Sequence, residues 1–204
     1  MYMNKKDVEK FISKKIDSLG NKLNEDIKGL FALLENNSDW AFFIQISAYI
    51  ELLLSNGIKA HFEEESLETS FEKLPLIDSG FGKTHIAKSV GLITKEHEKF
   101  IQKVAEIRNI LAHDFNALNF TLDDYVQSMD KNQKKSFIKQ ISYMGEEFIP
   151  LYEAKPKMVF VLNIVFMSAQ IEQGLFASKK ERDLNKLELE CLRELVKDID
   201  NHEK

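Results

Sequence analysis

Helix breakers are scarce in this chain. Its 204 residues include only 8 Gly and 3 Pro, too few for the many turns of a sandwich or barrel. Apolar residues recur at helical rather than alternating spacing, so an all-α fold is expected. The hydrophobic share of 44% and charged share of 30% are ordinary for a globular protein. The length suits one core with a helical extension.

Read along the chain, Lys5 to Asn36 keeps a helical stripe through Val8, Phe11, Ile12, Ile16 and Leu19. Gly20 bends or ends it, and Leu23, Ile27, Leu30, Phe31 and Leu34 resume it. Ser38 or Asp39 caps the next helix, expected over Trp40 to Phe62. An acidic, polar stretch from Glu63 to Ser70 leads to the breaker Leu74-Pro75-Leu76. A short helix is expected over Gly82 to Val90, and Thr94 caps a long one from Lys95 to His113, with Glu96 where the dipole favours an acid. Thr121 and Asp124 mark another start. Gln133 to Phe148 reads as helix, and Pro150 and Pro156 bracket a connection. Met158 to Ile171 is rich in β-branched residues, but the proline before it and its turnless length favour helix over strand. Lys179 to Asp198 closes the chain, with Leu184, Leu187, Leu192, Leu195 and Ile199 as its expected buried stripe. The expected organisation is an N-terminal helical extension over 1–37, a core over 38–150, and C-terminal helices over 151–204 packed on that core.

Composition excludes several classes. A net charge of −5 with pI near 5.6 makes the surface as a whole repel nucleic acid, so any phosphate contact must come from a local patch. The single Cys191 rules out an intramolecular disulfide and suits a reducing cytoplasm, where the protein is expected. No signal peptide is visible. The apolar runs Trp40 to Leu54 and Met158 to Ile171 contain Gln45, Glu51 and Asn163 and fall short of the ~20 residues a span requires. They read as core helices, and no membrane partner is expected. His61, His85, His97 and His202 lack ligand spacing, so neither a metal nor a cofactor is expected. Gly80-Phe81-Gly82-Lys83-Thr84 is reminiscent of a phosphate loop. Ile77 stands where that pattern needs its first glycine, and no strand precedes it. The basic clusters at Lys5-Lys6-Lys10-Lys14-Lys15, Lys131-Lys134-Lys135 and Lys179-Lys180-Arg182 read as solvated helix faces. No helix-turn-helix carries a basic recognition helix, so sequence-specific DNA is not an expected partner.

The segment Arg108-Asn109-Ile110-Leu111-Ala112-His113 holds the most informative chemistry. Phe100, Val104, Ile107 and Leu111 form one apolar stripe of its helix, and Ile101, Ala105, Arg108 and Ala112 form a second edge. Asn109 and His113, four apart, lie one above the other. Arg108 and His113 do not share a face of a straight helix; they converge only if the helix ends or bends near Ala112 or if two copies face each other. The plainer reading is a solvated arginine and a helix-terminal histidine favoured by the dipole. Glu51 is a second candidate, because an uncompensated carboxylate inside an apolar run is costly. Its plainer reading is a narrow solvent-facing stripe with Ser47 and Ser55.

From Ser38 to about Tyr125 the chain resembles the mannitol operon repressor family, a branch of the HEPN superfamily. The residues that carry the resemblance are the run Gly82 to Thr94, the motif Ile107 to His113, the helix containing Ala48-Tyr49-Ile50-Glu51-Leu52-Leu53, and Asn119-Phe120-Thr121. The resemblance implies a HEPN-like antiparallel helical bundle, here with N- and C-terminal helical extensions, assembled as a homodimer. It implies that Arg108, Asn109 and His113 meet in one cleft between protomers, supported by Glu51, and that active members cut RNA without metal. It equally allows a regulator of sugar uptake acting through protein contacts, or a silent module that binds RNA, an antitoxin or a regulatory protein.

Overall fold

A computed structural model describes residues 28–35, 38–63, 68–78, 80–113, 115–141, 152 and 155–202, with side chains in the last helix described as far as Glu190. The described residues contain helices and no strand. We label the α-helices α1 (Asp39–Phe62), α2 (Glu68–Glu72), α3 (Lys83–Ser89), α4 (Lys95–His113), α5 (Leu122–Gln127), α6 (Lys131–Ile141) and α7 (Pro156–His202). The protein is all-α. Residues 28–32 are helical and lead into a 3-10 turn at Leu33–Glu35. The rest of the helix expected from Lys5 to Asn36, and the end of that expected from Gln133 to Phe148, lie outside the described residues, as does Pro150.

Residues group into two compact units that do not follow chain order. One comprises 1–53 and 94–169, the other 54–93 and 170–204. In the first unit, α1 carries Phe42, Phe43, Ile46 and Ile50, all fully buried. At about 100° per residue these four fall on one face of the helix, while Gln45 and Ala48 on the far side are exposed. Phe160 of α7 packs edge-on against Phe43 at 5.1 Å and Phe42 at 6.5 Å between ring centroids. The same ring lies 5.9 Å from Phe100 of α4 and 6.4 Å from Phe137 of α6.

Polar groups close the helix ends. Ser38 Oγ accepts from the Ala41 N–H at 3.2 Å, so Ser38 caps α1. Asp39, in the first turn, accepts from the Leu122 N–H at 2.7 Å and from Lys157 Nζ at 2.8 Å, which joins the starts of α1, α5 and α7. Thr121 Oγ1 accepts from the Asp124 N–H at 3.0 Å and caps α5. Buried Asn163 donates its amide to the carbonyl of Ile141, the last residue of α6. Thr94 caps α4 reciprocally: its Oγ1 accepts from the His97 N–H at 3.3 Å, and His97 Nδ1 accepts from the Thr94 N–H at 3.1 Å. His97 takes the place that Glu or Gln fills in the usual capping box.

In the second unit, Leu54 and Ile58 of α1, Ala87 of α3, Leu92, Ile93 and Ile171 of α7 are buried. The Gly80-Phe81-Gly82-Lys83-Thr84 segment turns into α3. The N–H groups of Lys83 and Thr84 are taken by the Pro75 and Leu76 carbonyls at 2.9 and 3.1 Å. The Thr84 hydroxyl also donates to Leu76 O, at 2.8 Å. The amides that would cradle a phosphate are therefore spent on the loop itself. Gly82 is required because the backbone of Asp78 fills the space of a Cβ. Gly91, at φ 76°, turns the chain out of α3.

The polar stretch Glu63 to Ser70 contains the start of α2. Three expectations are corrected. The C-terminal segments form one 47-residue helix, because a single Gly174 weakens a helix by only ~1 kcal/mol and does not end it. Leu184 and Leu187, expected to be buried, are 57% and 58% exposed; Leu192, Leu195 and Ile199 fall beyond the described side chains. Finally, the apolar runs extend into longer helices. Asp39–Phe62 and Pro156–Glu190 are both long and apolar enough to cross a membrane, and 50% and 44% of their most apolar windows are buried inside the fold.

His97 is buried, and desolvation lowers its pKa from 6.5 to about 4. The unfolded chain therefore takes up a proton at this site between those two values while the folded chain does not. His97 contributes stability above pH 6.5 that is lost as pH falls toward 4, about 2 kcal/mol after allowance for solvent near the helix end. Urea denaturation from pH 7 to 5 should show this loss, and His97→Gln, which keeps a capping acceptor without titrating, should flatten it. An unchanged slope in the variant would remove His97 as the cause.

Candidate functional site at the end of α4

The end of α4 is built in two layers. Ile107 and Leu111 are buried, while Arg108, Asn109, Ile110, Ala112 and His113 are exposed. The Leu111 carbonyl, which has no partner within the helix, accepts from the Trp40 indole N–H at 3.2 Å. Trp40 thereby ties the last turn of α4 to the first turn of α1. Beyond His113 the chain passes into a 3-10 turn, Phe115–Asn119, whose Leu118 is 57% exposed.

The α4 helix includes His113 as its last residue, so the helix does not end before His113 and turn it toward Arg108. Five residues apart, they point about 140° from each other around the axis. Asn109 and His113 share a face. Arg108 Nη1 donates to Asn109 Oδ1 at 3.1 Å, so the Asn109 carbonyl oxygen holds the guanidinium rather than the imidazole. A chain in this arrangement offers an oriented cationic fork on one side of a helix end and an imidazole on another.

Glu51 sits half-buried on α1 and is engaged within the fold. Arg108 is exposed, so no buried ion pair joins the two. Ser47 and Ser55 are both buried, which excludes the solvent-facing stripe proposed for Ser47, Glu51 and Ser55. The second edge of α4 is also corrected: Ile101 and Ala105 are covered by the chain's own fold, leaving Arg108 and Ala112 as its open part.

Sequence reasoning missed Trp40 and His97 as the groups that close the two ends of α4. Nothing local marks Trp40, since its partner lies 71 residues away. His97 sits three residues after Thr94, where the capping box needs an acceptor, and that spacing was the available signal. A cavity of about 450 Å³, lined in part by Lys103, Tyr125, Gln133 and Gln140, opens in the first unit and is bordered by no motif residue. Lys103 there is paired with Glu106, and burial raises the Tyr125 phenol above its usual range. Among the described residues no group of three or more His, Cys, Asp or Glu side chains could hold a metal ion. No family model, curated protein or solved structure matches the chain.

Trp40→Phe removes one N–H and keeps the ring. It should cost about 1 kcal/mol of stability and speed amide exchange in the last turn of α4. Unchanged exchange at Leu111 to His113 would show that the indole does not hold that end.

Proposed function

We propose that this chain is a HEPN-type, metal-independent endoribonuclease that works as a homodimer, as a toxin or defence effector. The observation that carries the reading is the exposure of Arg108, Asn109 and His113 on the last two turns of one helix. Because Arg108 and His113 diverge around the axis, one copy cannot close both on a single phosphate. Two copies related by a two-fold axis set the Arg108 of one beside the His113 of the other. Ile110, 48% exposed within the motif, supplies apolar surface for that contact.

In this reading a neutral His113 imidazole takes the proton of an RNA 2′-hydroxyl, whose oxygen attacks the adjacent phosphorus. The bond from phosphorus to the 5′-oxygen breaks, and the leaving oxygen takes a proton from water, whose hydroxide is neutralised by the His113 imidazolium. Arg108, steadied by Asn109, binds the non-bridging oxygens as negative charge builds on them. The products are a 2′,3′-cyclic phosphate and a 5′-hydroxyl. DNA lacks the attacking group and resists. Glu51, half-buried on α1, supports the site from within the fold.

The second reading is a mannitol-repressor-like regulator acting through protein contacts, or a silent module that binds RNA or an antitoxin. The net charge of −5 and the exposed Ile110 and Leu118 beside the motif favour it.

The test is RNA cleavage in EDTA by the wild type, Arg108→Ala and His113→Ala. The wild type should cut and leave cyclic phosphate ends, and either substitution should slow cleavage by roughly 10²–10⁴-fold. Metal-dependent cleavage, or equal rates in all three proteins, contradicts the mechanism. Failure to cut any RNA transfers the reading to the regulator.

A further inference from the structure

The outer part of α7 presents an apolar stripe that the fold leaves uncovered. Phe176, Leu184 and Leu187 are 50%, 57% and 58% exposed, and at about 100° per residue all three lie within a quarter-turn of one another. The opposite face is the one used within the second unit. There Arg182 donates from Nη1 to His61 O at 3.2 Å and from Nη2 to Glu63 Oε1 at 2.8 Å, and Ile171 is buried. From Asp183 to Glu190 every residue is exposed. Eight successive exposed positions that include leucines are unusual for a helix in water, because most helical stability comes from burying an apolar face.

The charges beside the stripe select its occupant. On one flank stand Glu181 and Glu188; on the other stand Asp183 and Glu190, with Lys179 and Lys186 one turn before them and further out, all exposed. Lys180 lies in the line of the stripe, where its methylene stem can extend the apolar surface. A second copy of α7 laid antiparallel sets each acidic flank against itself. Laid parallel, it sets one acidic flank against the other. Both arrangements oppose carboxylates. A helix with lysines or arginines beside its apolar stripe meets four carboxylates instead.

We infer that the Phe176–Leu184–Leu187 face of α7 is a docking site for a basic amphipathic helix of a partner protein. The partner lays a leucine-type stripe on this face, and its flanking cations pair with Glu181, Asp183, Glu188 and Glu190. Apolar contact gives affinity; the acidic borders give specificity by rejecting acidic helices and self-pairing.

The probe is a labelled three-heptad peptide with leucine at a and d and lysine at e and g, titrated against the full chain by fluorescence anisotropy. An otherwise identical peptide with glutamate at e and g is the control. The lysine peptide should bind at least about tenfold more tightly than the glutamate peptide, and added salt should narrow the difference. Leu184→Glu with Leu187→Glu should weaken lysine-peptide binding by about tenfold or more without changing the circular dichroism, since both side chains are exposed. Glu181→Lys with Glu188→Lys should reduce the preference for the lysine peptide. Equal binding of the two peptides, or no binding of the lysine peptide, overturns the inference. So does self-association of the chain that the Leu184→Glu, Leu187→Glu pair abolishes, since that makes a second copy the occupant.

Discussion

Four helices of the first unit meet at Phe160. Its ring lies against Phe42 and Phe43 of α1, Phe100 of α4 and Phe137 of α6. Each of these side chains is at most 2% exposed. Truncating an aromatic residue at such a point costs ~3–5 kcal/mol, a large share of what holds a domain together. The consequence for function is direct. Phe100 anchors the first half of α4, and Trp40, two residues before Phe42, holds the other end through the Leu111 carbonyl. The exposed Arg108, Asn109, Ile110, Ala112 and His113 are thus carried on a helix fixed at both ends, which is how a site on a regular element gains precision.

Much of this arrangement was legible in the sequence because it is local. Ser38, Thr94 and Thr121 each cap a helix within three residues of themselves, and the scarcity of Gly and Pro limits the chain to helices. The bounds of α4 follow from Thr94 and from the apolar spacing Phe100, Val104, Ile107 and Leu111. What stayed hidden is what depends on distant partners. Trp40 meets Leu111, and Asp39 meets Leu122 and Lys157, across spacings that no periodicity encodes. The same limit explains the error at Leu184 and Leu187. Their spacing marks an apolar face, but periodicity cannot say whether this chain or another molecule covers it.

The candidate site was legible in part. The sequence supplied Arg108, Asn109 and His113 and the four-residue relation of Asn109 to His113. It left open whether the helix bends to bring Arg108 and His113 together. The unbroken run of α4 to His113 decides that point: within one chain the two side chains diverge. The hydrogen bond from Arg108 to Asn109 was also hidden, since adjacent residues on a helix do not share a face. Only the reach of the arginine side chain brings them together. Glu51 is half-buried and engaged within the fold, and no buried ion pair joins it to the exposed Arg108.

Divergence of Arg108 and His113 makes the central claim one about two copies rather than one. If the site combines Arg108 of one protomer with His113 of the other, an Arg108→Ala protomer still supplies a working histidine and a His113→Ala protomer a working arginine. Each variant alone has no complete site, whereas a mixed dimer has one. The direct measurement is RNA cleavage in EDTA by an equimolar mixture of the two variants, after subunit exchange. The account predicts that the mixture recovers a substantial fraction of wild-type activity while each variant alone stays inactive. A mixture as inactive as its components, beside an active wild type, would contradict it.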